Sequence, residues 1–557
     1  MKSEGKPRPD FHPQVLIAGG SVVGLSAAAF LAARGIKPLL VERRSDLSRR
    51  LRAKVFYART LELYRTIGID QRIVDAEPKE ARPTEIAIVE SLGGAERRRW
   101  SIPASRDLGE LSPCRSVFIK QRNLEEIVRD CARERGADLC FGTELQSFTQ
   151  DPNCVTARVR NLTTGEEKQV RAQYLIAADG NGSSVRNLLG IARTGLGDLS
   201  HSIEIRFAAD LKPLIRGRPL AFAYIREPDF RAYIAWEEGQ DGGVISVEYD
   251  PATDAEVRFS EANCQSIVAR ALGLSEGSFR VLGTHPWIVG SWVAERFRAG
   301  RIFLAGDSAH VTPPAGGFGA SLGIHDAHNL CTKLGQVLSG EASEKLLDCY
   351  EPERVPVANL TVDQATSRFK GLRSTGKSET AQTLYDESAI TLGYRYRSDA
   401  ILSEDLATSP IDPGALNGQP GTRAPHVGMS NGGKWMSSLD LCRFHPILIV
   451  GPRGHRWLDA GRQLASDFHL DIHHLGADDE GAANVFLQAH GINETGAILI
   501  RPDGFVAWRA PSQEASPIEE LANALGHVLA RPTKRKLTAT ETAADASRLS
   551  MFIQRQK

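Results

Sequence analysis

The sequence has no excess charge of either sign. Its 68 Lys and Arg residues balance 68 Asp and Glu residues, which gives a formal net charge of +0 at pH 7. Proteins that bind nucleic acids or anionic membranes use clustered positive charge. The balance therefore gives no electrostatic support for either partner, and we expect the protein to bind neither.

The sequence also lacks the cysteine spacings of disulfide, zinc and redox proteins. No CxxC pair occurs among its eight cysteines, which are Cys114, Cys131, Cys140, Cys154, Cys264, Cys331, Cys349 and Cys442. HExxH, EF-hand and P-loop motifs are missing as well. His325 and His328 lie three positions apart, but no third ligand with metal spacing is visible. We therefore expect reduced thiols, a cytoplasmic location and no metal site.

Long apolar runs are rare. Val15 to Ala33 is apolar enough to mimic a signal peptide or a membrane span, but glycines interrupt it and a second strand pattern follows. We therefore predict neither. A chain of 557 residues exceeds one ordinary core, so two or three domains are expected.

What the sequence does contain begins with a dinucleotide-binding fingerprint between Val15 and Glu42. The pattern predicts a strand, a glycine turn, a helix and a second strand that ends on Glu42, whose carboxylate is placed to bind a ribose hydroxyl. Ser21 stands where the fingerprint has its second glycine, so its side chain must stay clear of a pyrophosphate or bond to a phosphate. The candidate cofactor residues here are Gly19, Gly20, Ser21, Val22, Val23, Gly24, Glu42 and Arg43.

Two later segments place a carboxylate directly after a buried strand. Asp179 follows the apolar run Tyr174 to Ala178, and Asp307 follows Ile302 to Ala305. A loop rich in Pro and Gly comes next, and then a predicted helix from Ala320, whose start offers free N–H groups and a positive dipole end. Together these features predict a site for a polyhydroxylated, anionic cofactor. An acidic turn at Asp179 and a plain helix cap after Asp307 stay open as alternatives. The candidate residues are Asp179, Gly306, Asp307, Pro314, Gly316, Gly317, Gly319, Ala320 and Ser321.

The three segments together resemble the class A flavoprotein aromatic hydroxylases, single-component FAD monooxygenases that include polyketide hydroxylases and phenol hydroxylase. Further matches to this family are ARTLELYRTIGI (58–69), Ile119 to Leu145, YEPERVPVA (350–358) and GAILIRPDGFVAWR (496–509). The resemblance implies hydroxylation of a phenolic or polycyclic aromatic substrate with O2 and NAD(P)H, through a C4a-hydroperoxide of bound FAD. It also implies that three residues contact or frame the flavin: Arg52, Gln121 and Leu145.

The fold expected from these patterns is α/β. A Rossmann-like FAD-binding domain carries an inserted, mainly antiparallel β-sheet domain for the substrate, indicated by alternating segments such as SIEIRFAADL and GVISVEYD. A thioredoxin-like domain follows, whose only cysteine is Cys442, so we expect packing or homodimer formation there and no disulfide chemistry. The expected segments are a tail (1–11), the FAD-binding domain (12–80, 115–195 and 290–365), the substrate domain (81–114 and 196–289), a helical segment and linker (366–425), the redox-inactive thioredoxin-like domain (426–531) and a second tail (532–557).

Hydroxylation of a phenol is helped by a base or a polarising group. Phenol hydroxylases of the family carry an acid in a loop that moves the flavin, which in this sequence includes RRLRAK (49–54) and is here called the flavin loop. Lys54 stands at the matching position, so that base is missing and Lys54 would instead stabilise a phenolate. The candidate catalytic residues are Lys54, Tyr57, Tyr224, Arg395 and Pro313, the last of which stiffens the loop expected to face the flavin. Three aromatic residues are expected either to line an apolar pocket or to pack in the core: Phe207, Phe222 and Trp236.

Other functions stay open from the sequence alone. The same fold would also serve Baeyer–Villiger insertion or epoxidation. A flavin reductase or dehydrogenase without oxygen insertion is a second alternative. A flavin-free binding module that kept the fold is a third, from a different class.

Overall fold

The computed structural model describes residues 12–78, 84–102, 108–236, 239, 241–252, 259–373, 383–403, 407, 409–431, 434–476 and 480–531. The tails expected over 1–11 and 532–557 lie outside the described residues.

The strands in chain order are β1 (Val15–Ala18), β2 (Leu39–Glu42), β3 (Val55–Phe56), β4 (Glu85–Val89), β5 (Glu96–Ser101), β6 (Val117–Phe118), β7 (Asp138–Phe141), β8 (Thr143–Gln150), β9 (Val155–Asn161), β10 (Glu167–Ala172), β11 (Tyr174–Ala177), β12 (Arg193–Ala208), β13 (Leu220–Arg226), β14 (Arg231–Trp236), β15 (Gly242–Tyr249), β16 (Arg280–Ala294), β17 (Arg298–Ala299), β18 (Ile302–Leu304), β19 (His310–Val311), β20 (Gly428–Asn431), β21 (Lys434–Ser437), β22 (Ile447–Val450), β23 (Asp471–His474), β24 (Ala497–Ile500) and β25 (Val506–Ala510). The α-helices are α1 (Val22–Ala33), α2 (Ala58–Arg65), α3 (Asp70–Asp75), α4 (Gln121–Glu134), α5 (Ser184–Leu188), α6 (Lys212–Ile215), α7 (Glu261–Leu272), α8 (Gly319–Leu338), α9 (Tyr350–Arg373), α10 (Glu387–Leu392), α11 (His455–Phe468), α12 (Glu480–His490) and α13 (Pro517–Val528).

Six strands form the sheet of the FAD-binding domain, in the order β17-β18-β11-β1-β2-β7. All neighbours are parallel except β17 and β18. The inner strands are short, fully buried apolar runs, as parallel strands covered on both faces are. Because parallel strands end on one edge of a sheet, the segments after β1, β2, β11 and β18 meet there. The predicted Rossmann-like domain is confirmed, and it brings Gly19, Glu42, Asp179 and Asp307 to that edge.

Eight strands form the inserted sheet, in the order β19-β16-β12-β15-β14-β13-β4-β5. It is antiparallel except where β4 runs parallel to β13. One face packs on an apolar core that includes α7, and Phe207 belongs to this core. Trp236 belongs to the same core, whereas Phe222 lines the crevice on the other face. The long strands β12 and β16 run through the boundaries expected at 195/196 and 289/290, because both continue from the inserted sheet to the FAD-binding domain.

The C-terminal domain has the chain order β22-α11-β23-α12-β24-β25-α13 and the sheet order β23-β22-β24-β25. Strands β22 and β23 are parallel, and the other neighbours are antiparallel. This is the predicted thioredoxin-like arrangement. Cys442 is buried, and burial raises the pKa of its thiol to about 12. The thiol therefore stays protonated at neutral pH, a state unsuited to disulfide exchange.

Buried charges join the C-terminal domain to the FAD-binding domain. Glu353 on α9 accepts hydrogen bonds from Arg501 at 2.6 and 2.9 Å and from Lys333 at 2.7 Å. Arg501 also pairs with Asp503. All four side chains are buried. The domain is therefore held by ion pairs that have no access to water.

A second buried cluster involves the segment expected to be a linker. Arg423 binds Glu62 of α2, which also pairs with Arg59 at 3.0 Å. Burial alone would raise the pKa of Glu62, but Arg423 and Arg59 lower it to about 2. Residues 409–425 therefore include a structural contact with the helix that follows the flavin loop.

Within the described ranges, no helix is both long and apolar enough to cross a membrane. In the same residues, no three His, Cys, Asp or Glu side chains are grouped to hold a metal ion. His325 instead lies 3.1 Å from the Thr60 hydroxyl, and His328 packs edge-on against Phe30 with ring centres 4.9 Å apart.

The burial of His328 predicts a loss of stability in mild acid. Burial, together with the charge of Arg59, lowers the pKa of His328 from 6.5 to about 3. The unfolded chain takes up a proton below pH 6.5 that the folded protein excludes. The contribution of His328 to the free energy of unfolding is therefore fully present above pH 6.5. It falls by about 1.4 kcal/mol for each pH unit between 6.5 and 3. We expect His328→Leu to reduce the pH slope of the unfolding free energy by about one proton equivalent in that window.

Urea unfolding at several pH values measures this slope. The variant His455→Leu, which removes an exposed imidazole, is the matched control. A wild-type slope in His328→Leu would show that His328 is not the group responsible.

Candidate active site

A crevice of about 2190 Å³ separates the carboxyl edge of the six-stranded sheet from the eight-stranded sheet. Sites for a single drug-sized ligand have about 300–1,000 Å³. The crevice therefore has room for a large cofactor and a substrate together. Its wall includes the turn after β1, the loop before α2, the loop before α8 and the open face of the eight-stranded sheet.

The first turn is built so that only glycine fits at two positions. Gly19 has φ of +108°, and a Cβ there would lie 2.2 Å from the Ala178 carbonyl oxygen. A Cβ on Gly24 would lie 1.9 Å from the Gly19 carbonyl oxygen. The close approach of β1, α1 and β11 thus depends on both glycines.

The Ser21 side chain was expected either to stay clear of a pyrophosphate or to bond to a phosphate. It forms a hydrogen bond, but its partner is a protein carboxylate. Its Oγ donates to Glu125 Oε1 at 2.7 Å, and the Val22 N–H donates to the same oxygen at 3.0 Å. Gln121 Nε2 donates to Glu125 Oε1 at 2.7 Å, and Arg52 reaches Ser21 Oγ at 3.1 Å. Ser21, Val22 and Gln121 therefore donate to one carboxylate oxygen at the start of α1, and Arg52 donates to Ser21.

Glu125 is a residue that the sequence reasoning missed. It lies four positions after Gln121 on α4, and residues at this spacing share one helix face. The signal was present, but only the fold shows that this face of α4 meets α1.

The three strand-end acids differ in their surroundings. Glu42 accepts from the Gly20 N–H at 2.6 Å, and Asp179 accepts from Ser183 at 2.6 Å. Asp179 also lines the crevice, so the acidic-turn interpretation and the cofactor interpretation both remain compatible with it. Asp307 faces the crevice and, among the described residues, receives no hydrogen bond. Although its side chain is exposed to the crevice, it lies deep among protein atoms, which raises the pKa of its carboxyl, while His310 and Arg52 oppose that rise.

The loop rich in Pro and Gly lines the crevice ahead of α8, which begins at Gly319, one residue before the predicted start. The Tyr57 hydroxyl donates to the Gly316 carbonyl and its ring stacks on Phe318, so the flavin loop and this loop are joined. Ser321 Oγ is buried without a hydrogen-bond partner in the described structure. The predicted residues that line the crevice are Gly19, Ser21, Val22, Val23, Glu42, Arg43, Arg52, Lys54, Tyr57, Gln121, Leu145, Asp179, Tyr224, Asp307, Pro313, Pro314, Gly316, Gly317, Gly319 and Ala320.

The other predicted residues lie behind the wall: Gly20, Gly24, Gly306, Ser321 and Arg395. Gly306 donates its N–H to Asp326 at 3.0 Å, and a Cβ there would meet Val23 at 2.8 Å, so it serves close packing.

Arg395 has no support as a catalytic residue. The adjacent Tyr396 packs on Phe505 of the C-terminal domain, with ring centres 4.0 Å apart. The segment YRYRS (394–398), which contains Arg395, therefore lies at the domain junction.

Side chains of five neighbouring strands form one row across the open face of the eight-stranded sheet. Strand register places Tyr224, Tyr233, Ser246, Glu204 and His285 side by side. Burial raises the pKa of Tyr224 to about 12 and also raises those of Tyr57 and Tyr233. The tyrosine candidates are therefore protonated at neutral pH and act as hydrogen-bond donors, not as bases.

Lys54 lies where the flavin loop meets the sheet. Its Nζ donates to the Trp236 carbonyl at the end of β14. The ammonium group is thus held at the crevice wall, in keeping with electrostatic stabilisation and not with proton removal.

Glu204 is the titratable acid of this row, and the sequence reasoning missed it. Burial raises its pKa, while Arg50, Arg206 and Arg52 oppose the rise. One of its carboxylate oxygens is buried without a partner among the described residues. In the sequence, Glu204 is one of several polar residues in a strand where polar and apolar residues alternate. Only the register of the strands shows that it lies beside Ser246 and His285.

The residues present fit FAD. A turn that admits no Cβ and the N-terminus of α1 offer contacts for its pyrophosphate, and Asp307, which receives no hydrogen bond among the described residues, offers contacts for its hydroxyl groups. An α/β domain with this edge, roofed by an antiparallel sheet across a crevice of this size, defines a flavoprotein monooxygenase.

Comparison with known proteins gives the family. Residues 12–365 match the model of an FAD binding domain, and residues 417–532 match the C-terminal domain of aromatic-ring hydroxylases. The chain belongs to the FAD-dependent aromatic-ring hydroxylases, as the sequence motifs indicated.

Individual relatives cover nearly the whole chain. It is 38% identical over 541 residues to 4-methyl-5-nitrocatechol 5-monooxygenase of Burkholderia sp, covering 94% of this chain and 98% of the relative. It is 38% identical over 545 residues to tetracenomycin A2 monooxygenase-dioxygenase of Streptomyces glaucescens, covering 93% and 97%. The crystal structure of aklavinone-11 hydroxylase with FAD and aklavinone superposes with a TM-score of 0.87 at 34% identity, covering 94% of this chain and 100% of that chain.

Proposed function

We propose that this protein hydroxylates a phenolic or polycyclic aromatic compound, using O2 and NAD(P)H. The observation that carries the proposal is one continuous crevice that joins the FAD-type edge of the six-stranded sheet to the aromatic face of the eight-stranded sheet. The named relatives act on nitrocatechol and tetracenomycin compounds, and the solved relative holds aklavinone. A homodimer and a cytoplasmic location stay predictions from the sequence.

FAD, when bound, supplies the two-electron chemistry that activates O2. The protein itself binds and orients the cofactor and the substrate, and it shields them from water. Tyr224 stacks with Trp100 at 6.5 Å between ring centres and contacts Phe222 edge-on at 5.6 Å. These rings form an aromatic wall on which a flat ring system can pack. The Tyr57 link to Gly316 keeps the flavin loop against the loop before α8.

A proton must leave the phenol as oxygen is transferred, and we assign its acceptance to Glu204. Glu204 faces the same crevice as Tyr224, and one of its carboxylate oxygens has no partner among the described residues. Burial raises its pKa, which makes it a stronger base than an exposed carboxylate. Lys54, held at the crevice wall by the Trp236 carbonyl, supplies positive charge for the resulting phenolate.

Labelled dioxygen tests the overall reaction. Purified protein with FAD, NAD(P)H and a phenol, naphthol or anthraquinone panel should consume NAD(P)H faster with substrate and place one labelled oxygen atom in the product. Product structure separates ring hydroxylation from Baeyer–Villiger insertion and epoxidation. A product without label would contradict the proposal.

Replacing Glu204 with Gln should lower kcat by roughly a hundredfold, the lower range for loss of a general base. The rate of the wild type should rise with pH through the raised pKa of Glu204, because the base must be ionised, and this limb should vanish in the variant. FAD content should not change. Glu85→Gln is the control, because Glu85 lies on the same sheet, pairs with Arg99 and does not line the crevice. An unaltered pH profile in Glu204→Gln would exclude Glu204 as the base.

A further inference from the structure

Arginines follow the aromatic wall at one end of the crevice. Arg226 and Arg231 stand opposite each other in the register of β13 and β14, two positions beyond Tyr224 and Tyr233. Residues two apart on a strand share a face and lie about 6.5–7 Å apart. Arg98 has the same relation to Trp100 on β5. Arg98, Arg226 and Arg231, here called the arginine group, all line the crevice.

The positive charge of the arginine group is not neutralised within the described structure. The acids that line this part of the crevice have other partners: Glu227 binds Arg97 at 2.9 Å, and Glu248 binds Arg373. Among the described residues, no member of the arginine group forms an ion pair. Arg98 instead lies over the Trp100 ring, 5.6 Å from its centre.

The arginines also act on one another. Burial lowers the pKa of Arg226, and the charges of Arg231 and Arg98 lower it further. Like charges that repel in the free protein gain most from an anion that binds between them. A guanidinium is planar and matches the two oxygens of a carboxylate, which makes it the side chain suited to this ligand.

We propose that the substrate is an aromatic acid, whose rings lie on Trp100, Tyr224 and Tyr233 while a carboxylate on the ring system binds the arginine group. This inference rests on the proposed hydroxylase function. The distance of about 7 Å between the tyrosine row and the arginines requires the carboxylate to be attached to the ring or through a short link. The anion could also come from the phosphates of NAD(P)H, so the experiment must separate the two sources.

Matched ligands on the holoenzyme test the proposal. Hydroxynaphthoic acid and its methyl ester share the ring system and differ in charge. Titration followed by the flavin absorbance should give a Kd at least tenfold lower for the acid, which corresponds to about 1.4 kcal/mol. Raising the salt concentration should weaken the acid and leave the ester unchanged, because salt screens the ionic contact.

Variants locate the contact. Arg226→Gln and Arg231→Gln should each raise the Kd of the acid about tenfold and leave the Kd of the ester unchanged, which also shows that the crevice is intact. Arg99→Gln is the control, because Arg99 lies on β5 outside the crevice wall and pairs with Glu85 and Glu96.

Each other outcome contradicts the proposal in a distinct way. If acid and ester bind equally well, the hydroxylase function stands and the aromatic-acid inference is overturned. If the variants raise the KM of NAD(P)H and leave the acid unaffected, the arginines serve the nucleotide and the inference is again overturned. If neither compound binds nor speeds NAD(P)H oxidation, and no other aromatic compound does, the proposed function itself fails.

Discussion

Replacing Glu353 with Ala is expected to lower the free energy of unfolding by about 3–5 kcal/mol. Glu353 is the acceptor for Arg501, Lys333, Asn329 at 2.7 Å and Ser398 at 2.7 Å, and it is buried together with Arg501 and Lys333. Removing the carboxylate leaves Lys333 buried without its ion-pair partner and leaves Arg501 with Asp503 alone, and this uncompensated charge is the source of the cost. The midpoint of urea unfolding of the holoenzyme measures the effect.

Glu494→Ala is the matched control. Glu494 pairs with Arg453 at 3.3 Å on the surface, where both side chains are more than half exposed. Such pairs contribute about 0–1 kcal/mol. If the two variants were equally stable, the buried ion pairs would have no part in holding the C-terminal domain.

Replacing Asp307 with Ala is expected to weaken FAD binding by roughly ten- to hundredfold, so that the purified protein loses most of its yellow colour. Asp307 faces the crevice, and no described group donates to it, so its oxygens are free for the hydroxyl groups of the cofactor. A hydrogen bond to a charged group contributes about 1.5–3 kcal/mol, which sets this range. Fluorescence titration of the apoprotein with FAD gives the affinity.

Asp348→Ala controls for the loss of an acid. Asp348 is an exposed residue that pairs with Arg298 outside the crevice, so FAD binding should not change. Asp307→Asn should recover part of the affinity, because its amide oxygen still accepts one hydrogen bond. Full FAD occupancy in Asp307→Ala would refute the assigned contact.

Much of the fold was predictable because its signals are local. The strand–turn–helix–strand pattern before Glu42 lies within 28 residues, and the glycine positions that it requires are those where a Cβ would clash. The thioredoxin-like alternation of strands and helices is equally local. The acids Glu42, Asp179 and Asp307 could be placed together from sequence, because parallel strands always end on one edge.

The catalytic residues were harder to predict than the fold. Tyr57 and Tyr224 were candidates for a base or a polarising group, and burial, which raises the pKa of both, leaves the second of these roles open to them. Arg395 was a further candidate, yet the adjacent Tyr396 packs on Phe505 at the domain junction. Burial and long-range packing decide both outcomes, and neither can be read from neighbouring residues.

The sequence by itself determined the cofactor edge, because each of its parts is a short pattern whose geometry follows from strand ends, glycine turns and helix starts. The tertiary structure alone decided which polar side chains share the substrate wall. Glu204, Arg226 and Arg231 come together only through the register of strands that are distant in sequence or separated by turns, and a shift of one residue would turn each of them to the opposite face.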